Sequence, residues 1–236
     1  MLEIKGITVC YDKVPVLKDV SISVKEREVV AFLGLNGAGK TSTLMTVSGF
    51  LKPISGEIWF RGRRIDGMPP HKVVRLGLVH IPEGRRVFST LKVWENLVLG
   101  AYTRNDRNIR NDLEEVGKSF PILKERKWQL AGSLSGGEQQ MLAFGRGIMA
   151  RPQLFMMDEP NLGLSPLMIQ EVGRIINGLI LKGFPILLVE QNIDFVLKFA
   201  DRCYVLERGK IVFEASSSEL SSTLSSVSLK KILFRA

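Results

Sequence analysis

Cysteine and histidine are scarce: the 236-residue chain has two of each. Cys10 and Cys203 cannot build a disulfide framework and match no metal-ligand spacing. Long hydrophobic runs are missing as well. A membrane-spanning helix needs roughly 18 or more apolar residues in a row, and the densest stretch, Pro185–Val189, is far shorter. The opening residues Met1-Leu2-Glu3-Ile4-Lys5 include an acid and lead into no long apolar core, which argues against a signal peptide. No basic stretch interleaves with aromatics as an RNA-binding sheet requires, and no internal repeat is visible. These absences lead us to expect a soluble cytoplasmic protein.

What is present is ordinary globular composition, 45% apolar and 24% charged, which excludes a disordered or collagen-like chain. The length fits one large domain, or a core with a subdomain. Lys and Arg exceed Asp and Glu by 33 to 24, a formal charge of +9. That excess suits an anionic partner (nucleotide, nucleic acid or an anionic membrane face) and equally a solvated surface. The basic residues are dispersed; the tightest groups are Arg61, Arg63, Arg64 and the pair Arg85, Arg86.

Period-two alternation at Ile4, Ile7, Val9 and at Val20, Ile22, Val24 predicts N-terminal antiparallel strands with one covered face. The runs Glu28–Leu33, Leu154–Met157 and Ile186–Val189 read as buried parallel strands. Helical spacing predicts a helix over Gly39–Phe50 and a helical stretch from about Arg85 to Ala150. The predicted class is therefore α/β: a mostly parallel sheet with helices over about 1–84 and 151–236, an N-terminal antiparallel β layer, and an inserted helical subdomain over about 85–150. Leu220, Leu224 and Val227 predict a small amphipathic helix within Ser216–Ser228.

Gly34-Leu35-Asn36-Gly37-Ala38-Gly39-Lys40-Thr41 matches G-x-x-x-x-G-K-[ST] in full, after an apolar strand and at the start of a helix. Glycines let successive backbone N–H groups converge on phosphate oxygens, and the helix N-terminus adds a favourable dipole. Lys40 is assigned to the β and γ phosphates, Thr41 to Mg²⁺ and Ser42 to the phosphates behind it. This chemistry predicts binding of a nucleoside triphosphate. Asp158-Glu159 ends an apolar strand, where α/β sheets bind ligands; Asp158 suits the metal's shell, and Glu159 suits activation of the attacking water. Read alone, the pair is better explained as an acidic turn stopped by Pro160; the P-loop upstream turns the reading to the catalytic pair. Leu134-Ser135-Gly136-Gly137-Glu138-Gln139-Gln140 carries the S-x-x-E spacing of a capping box. A bare cap has no need of two glycines in its first turn, so a close approach, for instance by a γ-phosphate, is expected there.

With these motifs in this order, the chain resembles the ATP-binding subunits of ABC transporters over nearly its whole length. The resemblance implies a P-loop NTPase core and two ATPase domains packed head to tail. Each ATP would lie between one P-loop and the partner's Ser135, Gly136 and Gly137. It also implies that Tyr11 stacks on adenine. Pro82-Glu83-Gly84-Arg85-Arg86, Asn161-Leu162-Gly163-Leu164-Ser165-Pro166, Val189-Glu190-Gln191-Asn192 and Tyr204-Val205-Leu206-Glu207 resemble the LivF-type branch of branched-chain amino-acid importers. Asn161 and Ser165 are departures from that branch. Glu83 stands where most members have a glutamine that contacts Mg²⁺ and the water, and Gln191 where most have a histidine. Glutamine can sense a γ-phosphate by hydrogen bonding but carries no proton near neutral pH. His80 and His71 read as a strand and a loop histidine. The turn Lys25-Glu26-Arg27-Glu28 lacks the glycine usual in the family.

The resemblance further implies ATP and Mg²⁺ as ligands, and a LivG-like sister ATPase forming a heterodimer, with a homodimer in isolation as the alternative. Two membrane permease subunits and, indirectly, a periplasmic binding protein complete the assembly at the cytoplasmic face of the membrane; nucleic acid is not expected. A urea, amide or lipid transporter, or a soluble ABC ATPase acting on nucleic acid or ribosomes, are the competing readings.

Overall fold

The computed structural model describes residues 1–216 and Glu219. In chain order they form β1 (Leu2–Tyr11), β2 (Val14–Val24), β3 (Val29–Leu33), α1 (Lys40–Val47), β4 (Ser55–Phe60), β5 (Arg63–Arg64), α2 (Pro70–Arg75), β6 (Leu78–Ile81) and α3 (Val93–Gly100). There follow α4 (Ile109–Ser119), α5 (Pro121–Glu125), a short 3-10 turn (Ala131–Ser133), α6 (Gly136–Met149), β7 (Leu154–Asp158), α7 (Pro166–Leu181), β8 (Ile186–Glu190), α8 (Ile193–Val196), β9 (Arg202–Glu207) and β10 (Lys210–Ser216). The chain divides into two units, one up to Val73 and again from Leu179, the other Val74–Gly178.

In the first unit the alternating N-terminal residues pair as expected. β1 and β2 run antiparallel from Leu2↔Val24 to Tyr11↔Val14, burying Leu2, Ile4, Ile7 and Val9 against Leu17, Val20 and Ile22. Asp12 and Lys13 turn the hairpin with φ of 44° and 72°, the positive values a two-residue turn needs to match strand twist. β4 and β5 extend this layer in the order β2-β1-β4-β5. β3 lies between β8 and β9, parallel to both. β3 and β8 are buried along their whole length, which is why they read as unbroken apolar runs. β10 returns antiparallel on β9.

β2 ties the two layers of this unit together. The Lys18 N–H donates to Gly209 O at 2.8 Å, and the Ser23 N–H to the Tyr204 hydroxyl at 3.3 Å. Arg202 on β9 reaches Glu28 at 3.0 Å, Glu214 at 2.7 Å and the Ser23 carbonyl at 2.8 Å. Burial alone would raise the Glu28 carboxyl, but hydrogen bonds from Arg202 and the Lys25 amide outweigh it and hold the group below its ordinary value. The missing glycine in this turn now has a physical account. Arg27 itself takes the left-handed conformation, φ 59°, and its guanidinium reaches Gly183, where a Cβ would lie 3.2 Å from Nε.

In the second unit β6 and β7 pair in parallel, Leu78↔Leu154 to Ile81↔Met157, and helices α3 to α6 pack together. Leu97, Val116, Leu123, Leu142 and Phe144 are buried there. Arg104, itself nearly buried, pairs with Asp106 at 2.8 Å and Asp112 at 2.6 Å, and donates to the Met149 carbonyl at the end of α6. Two details differ from expectation. The helix after the P-loop stops at Val47 rather than Phe50, because Gly49 turns out with φ 80°. His71 sits in α2, not a loop. Ser216 ends β10; the remainder of the helix expected within Ser216–Ser228, Glu219 apart, lies outside the described residues.

Candidate functional site

Lys40 opens α1 and is buried, 4% exposed, yet its Nζ points back into the preceding loop and donates to the carbonyls of Gly34 at 2.8 Å and Leu35 at 3.2 Å. The loop thus curls around the ammonium. Gly39, the N-cap, has φ 111°, a conformation only glycine adopts freely. It supplies no side-chain cap, and the first turn of α1 holds no acidic residue. A helix N-terminus of this kind, without a side-chain cap or a first-turn acid, suits an anion through its dipole. Leu35, Asn36 and Gly37 at the loop's apex are exposed. The pairing Leu33↔Glu190 sets Gln191 beside this loop, and its Nε2 donates to Asn36 Oδ1 at 2.8 Å. Gly39 also abuts β2, where a Cβ would meet Leu17 at 2.7 Å and the Val16 carbonyl at 3.1 Å. Tyr11, 44% exposed, stands at the turn end of that same β1–β2 hairpin.

The second unit holds the acidic group. Asp158 ends β7 at 1% exposure, and Glu159 follows at 8% with φ 43°. A non-glycine residue held in that region stores strain, and such strain gathers where geometry serves chemistry. Ile81↔Met157 sets the ends of β6 and β7 side by side, so exposed Glu83 leaves from the same end as Asp158 and Glu159. Among the described residues no group of three or more His, Cys, Asp or Glu forms a metal cage. One or two carboxylates completed by substrate phosphates is the pattern Mg²⁺ adopts, and the Asp158 carboxylate is a donor of the right hardness in this unit, as the Thr41 hydroxyl is in the first.

Ser135 caps α6 in the predicted capping box: its Oγ accepts from the Glu138 N–H at 3.4 Å, and Glu138 Oε2 accepts from the Ser135 N–H at 2.8 Å. The glycines after it also have a packing reason. A Cβ on Gly137 would lie 2.4 Å from the Met168 methyl carbon. Sequence reasoning missed Asn96, fully buried on α3. Its Oδ1 accepts from the Phe88 N–H at 2.8 Å and its Nδ2 donates to the Phe88 carbonyl at 3.0 Å, fixing the segment that follows Glu83. The only signal was an amide beside Glu95 in the otherwise apolar stretch Val93–Leu99. His80 on β6 is pushed down to about 4 by burial, so it is neutral at physiological pH.

The sequence pattern of the ABC transporter family matches residues 17–162, a stretch that holds the P-loop, the α6 cap and the Asp158-Glu159 pair. The chain belongs to the ABC transporter ATP-binding family. It is accordingly an ATP-binding P-loop ATPase. Among its relatives is the high-affinity branched-chain amino acid transport ATP-binding protein BraG of Pseudomonas aeruginosa, 44% identical over 93% of this chain and 94% of that one. The probable branched-chain amino acid transport ATP-binding protein LivF of Archaeoglobus fulgidus is 34% identical over the same shares. A crystal structure of an ATP-binding cassette of an ABC transporter in its ADP conformation superposes with a TM-score of 0.86 at 26% identity, over 99% of this chain and 98% of that one.

Proposed function

We propose that the chain is the ATP-hydrolysing subunit of an importer for branched-chain amino acids. The observation that carries this is near full-length identity of 44% to the protein named for that transport. The four short motifs after Ile81, described above, support the same branch.

In this reading the terminal phosphates take the place that the Gly34 and Leu35 carbonyls now hold at Lys40, and the first-turn amides of α1 donate to them. Ser42 donates to the phosphates behind, and Tyr11 stacks on the adenine. Thr41, Asp158 and Glu83 would hold Mg²⁺, which would supply neutralisation of the phosphate charge. Glu159, strained and nearly buried, accepts the proton of the attacking water. Gln191 donates to the γ-phosphate in place of Asn36, a hydrogen bond that needs no titrating group near neutral pH. Ser135, Gly136 and Gly137 complete the γ-phosphate site of a second ATPase subunit packed head to tail. A LivG-like sister is the expected second subunit, with a homodimer as the form in isolation. The pair sits peripherally on two permease subunits at the cytoplasmic face, fed by a periplasmic binding protein. ATP closes the pair because each γ-phosphate joins two subunits, and hydrolysis reopens it. The helical region about Arg85–Ala150 moves with that closure.

The test is uptake of labelled leucine by cells that carry the complete transporter with either the native chain or Glu159→Gln. Loss of uptake with ATP binding retained is the expected result. Unchanged leucine uptake with the variant as the only copy present overturns the substrate assignment.

A further inference from the structure

Arg85 is poorly explained as a surface residue. It follows Gly84 in a run of three residues with positive φ: 75° at Gly84, 68° at Arg85 and 46° at Arg86. Two successive arginines in the left-handed region each cost about 1–2 kcal/mol of backbone strain. The half-buried side chain turns back onto the start of α6. A Cβ on Gly136 would lie 2.9 Å from Arg85 Nη1, 3.0 Å from Cζ and 3.0 Å from Nη2. Near-equal distances to three guanidinium atoms mean that the plane lies flat across this glycine. A Cβ on Gly163 would lie 4.0 Å from Nη2. The guanidinium thus lies near both the Ser135-Gly136 turn and the 161–165 turn after Glu159.

Electrostatically this is an unfavourable place for a cation. The first turn of a helix carries partial positive charge. The acid of that turn, Glu138, is committed to the Ser135 amide and to Arg126 at 3.3 Å, and among the described residues no carboxylate forms an ion pair with Arg85. Strain, like charge and the lack of an ion-pair partner all make this a favourable place for an anionic ligand. Arg85 offers a planar fork suited to phosphate oxygens.

We propose that Arg85 is a further substrate-binding residue of the ATPase: its guanidinium binds the terminal phosphate of the nucleoside triphosphate presented by the second subunit to Ser135 and Gly137. This rests on the head-to-tail reading given above. Arg85 then stabilises charge on the transferred phosphoryl group, in trans to the P-loop that holds the nucleotide. It also links the arrival of that phosphate to the Glu83–Phe88 segment.

The experiment compares native protein, Arg85→Ala, Arg85→Lys and Ser135→Ala in two measurements. Binding of a fluorescent ATP analogue to the isolated chain reports its own P-loop, and steady-state hydrolysis by the membrane-assembled transporter reports the paired site. We expect Arg85→Ala to keep the analogue Kd within about twofold while kcat falls on the order of tenfold or more, the split that marks an interaction made in the transition state. Arg85→Lys, which keeps the charge but not the fork, should recover part of that loss. A kcat for Arg85→Ala within about twofold of native, beside a tenfold loss in Ser135→Ala, overturns the role of Arg85 and leaves the α6 reading standing. If Ser135→Ala is also unimpaired, the head-to-tail reading itself fails. Loss of analogue binding in Arg85→Ala would make the residue structural and likewise overturn the proposal.

Discussion

Replacing Asn96 with alanine should cost the protein about 2–4 kcal/mol, although the residue is polar and touches no substrate. Asn96 is fully buried on a helix whose other inward residues are apolar. Its Oδ1 accepts the Phe88 N–H at 2.8 Å, and its Nδ2 donates to the carbonyls of Phe88 at 3.0 Å, Lys92 at 3.0 Å and Leu91 at 3.4 Å. Two Nδ2 hydrogens serve three acceptors, so three full bonds are lost rather than four. Phe88 is 51% exposed, and water can reach part of the freed edge. A net value of roughly 0.5–1.5 kcal/mol per bond is therefore the right scale, not the full penalty of a dry unpaired group. Asn96→Asp should be worse than alanine. It keeps the acceptor for the Phe88 N–H, removes the donors and buries a charge beside carbonyl oxygens. Equilibrium urea unfolding, followed by far-UV circular dichroism and tryptophan fluorescence, measures both variants. A loss below about 1 kcal/mol for alanine, or an aspartate variant as stable as native, would refute the reasoning.

Tyr11→Ala should barely change stability, since the ring is 44% exposed at a hairpin end. It should weaken ATP binding by about 1–3 kcal/mol, the scale of base–aromatic stacking, with Tyr11→Trp retaining affinity; a titration showing equal Kd for alanine and native protein ends the stacking assignment. His80 makes a pH prediction. Burial lowers its imidazole from 6.5 to about 4, so the unfolded chain takes up a proton near pH 6.5 while the folded protein resists until about pH 4. Stability from this residue is complete above pH 6.5 and is lost as pH falls towards 4. Between pH 7 and pH 5 the native protein should lose about 1–2 kcal/mol more than His80→Gln, allowing for the partial exposure of the ring. Parallel urea curves for the two proteins at both pH values would show that the histidine is not held neutral by the fold.

The features legible in the sequence were those whose physical cause is local. β3 and β8 could be read because a strand covered on both faces has to be apolar at every position, and the P-loop because its glycines and Lys40 are contiguous. The α6 cap was equally plain: Ser135 and Glu138 satisfy each other's amides across a single turn. Arg27 shows the limit of such rules. Glycine is preferred at a positive φ, but only by about 1–2 kcal/mol, and packing of the same side chain at Gly183 can offset that. The features that could not be read depend on contacts that no motif or periodicity encodes, some of them made by residues far apart along the chain. Gly137 owes its lack of a side chain to Met168, Asn96 serves a backbone segment that precedes its helix, and Arg85 ends on Gly136. A motif names the atoms that can meet a phosphate. Which further charge stands beside them is decided by a long-range contact, and it is there that one branch of a family with shared motifs can set its own rate.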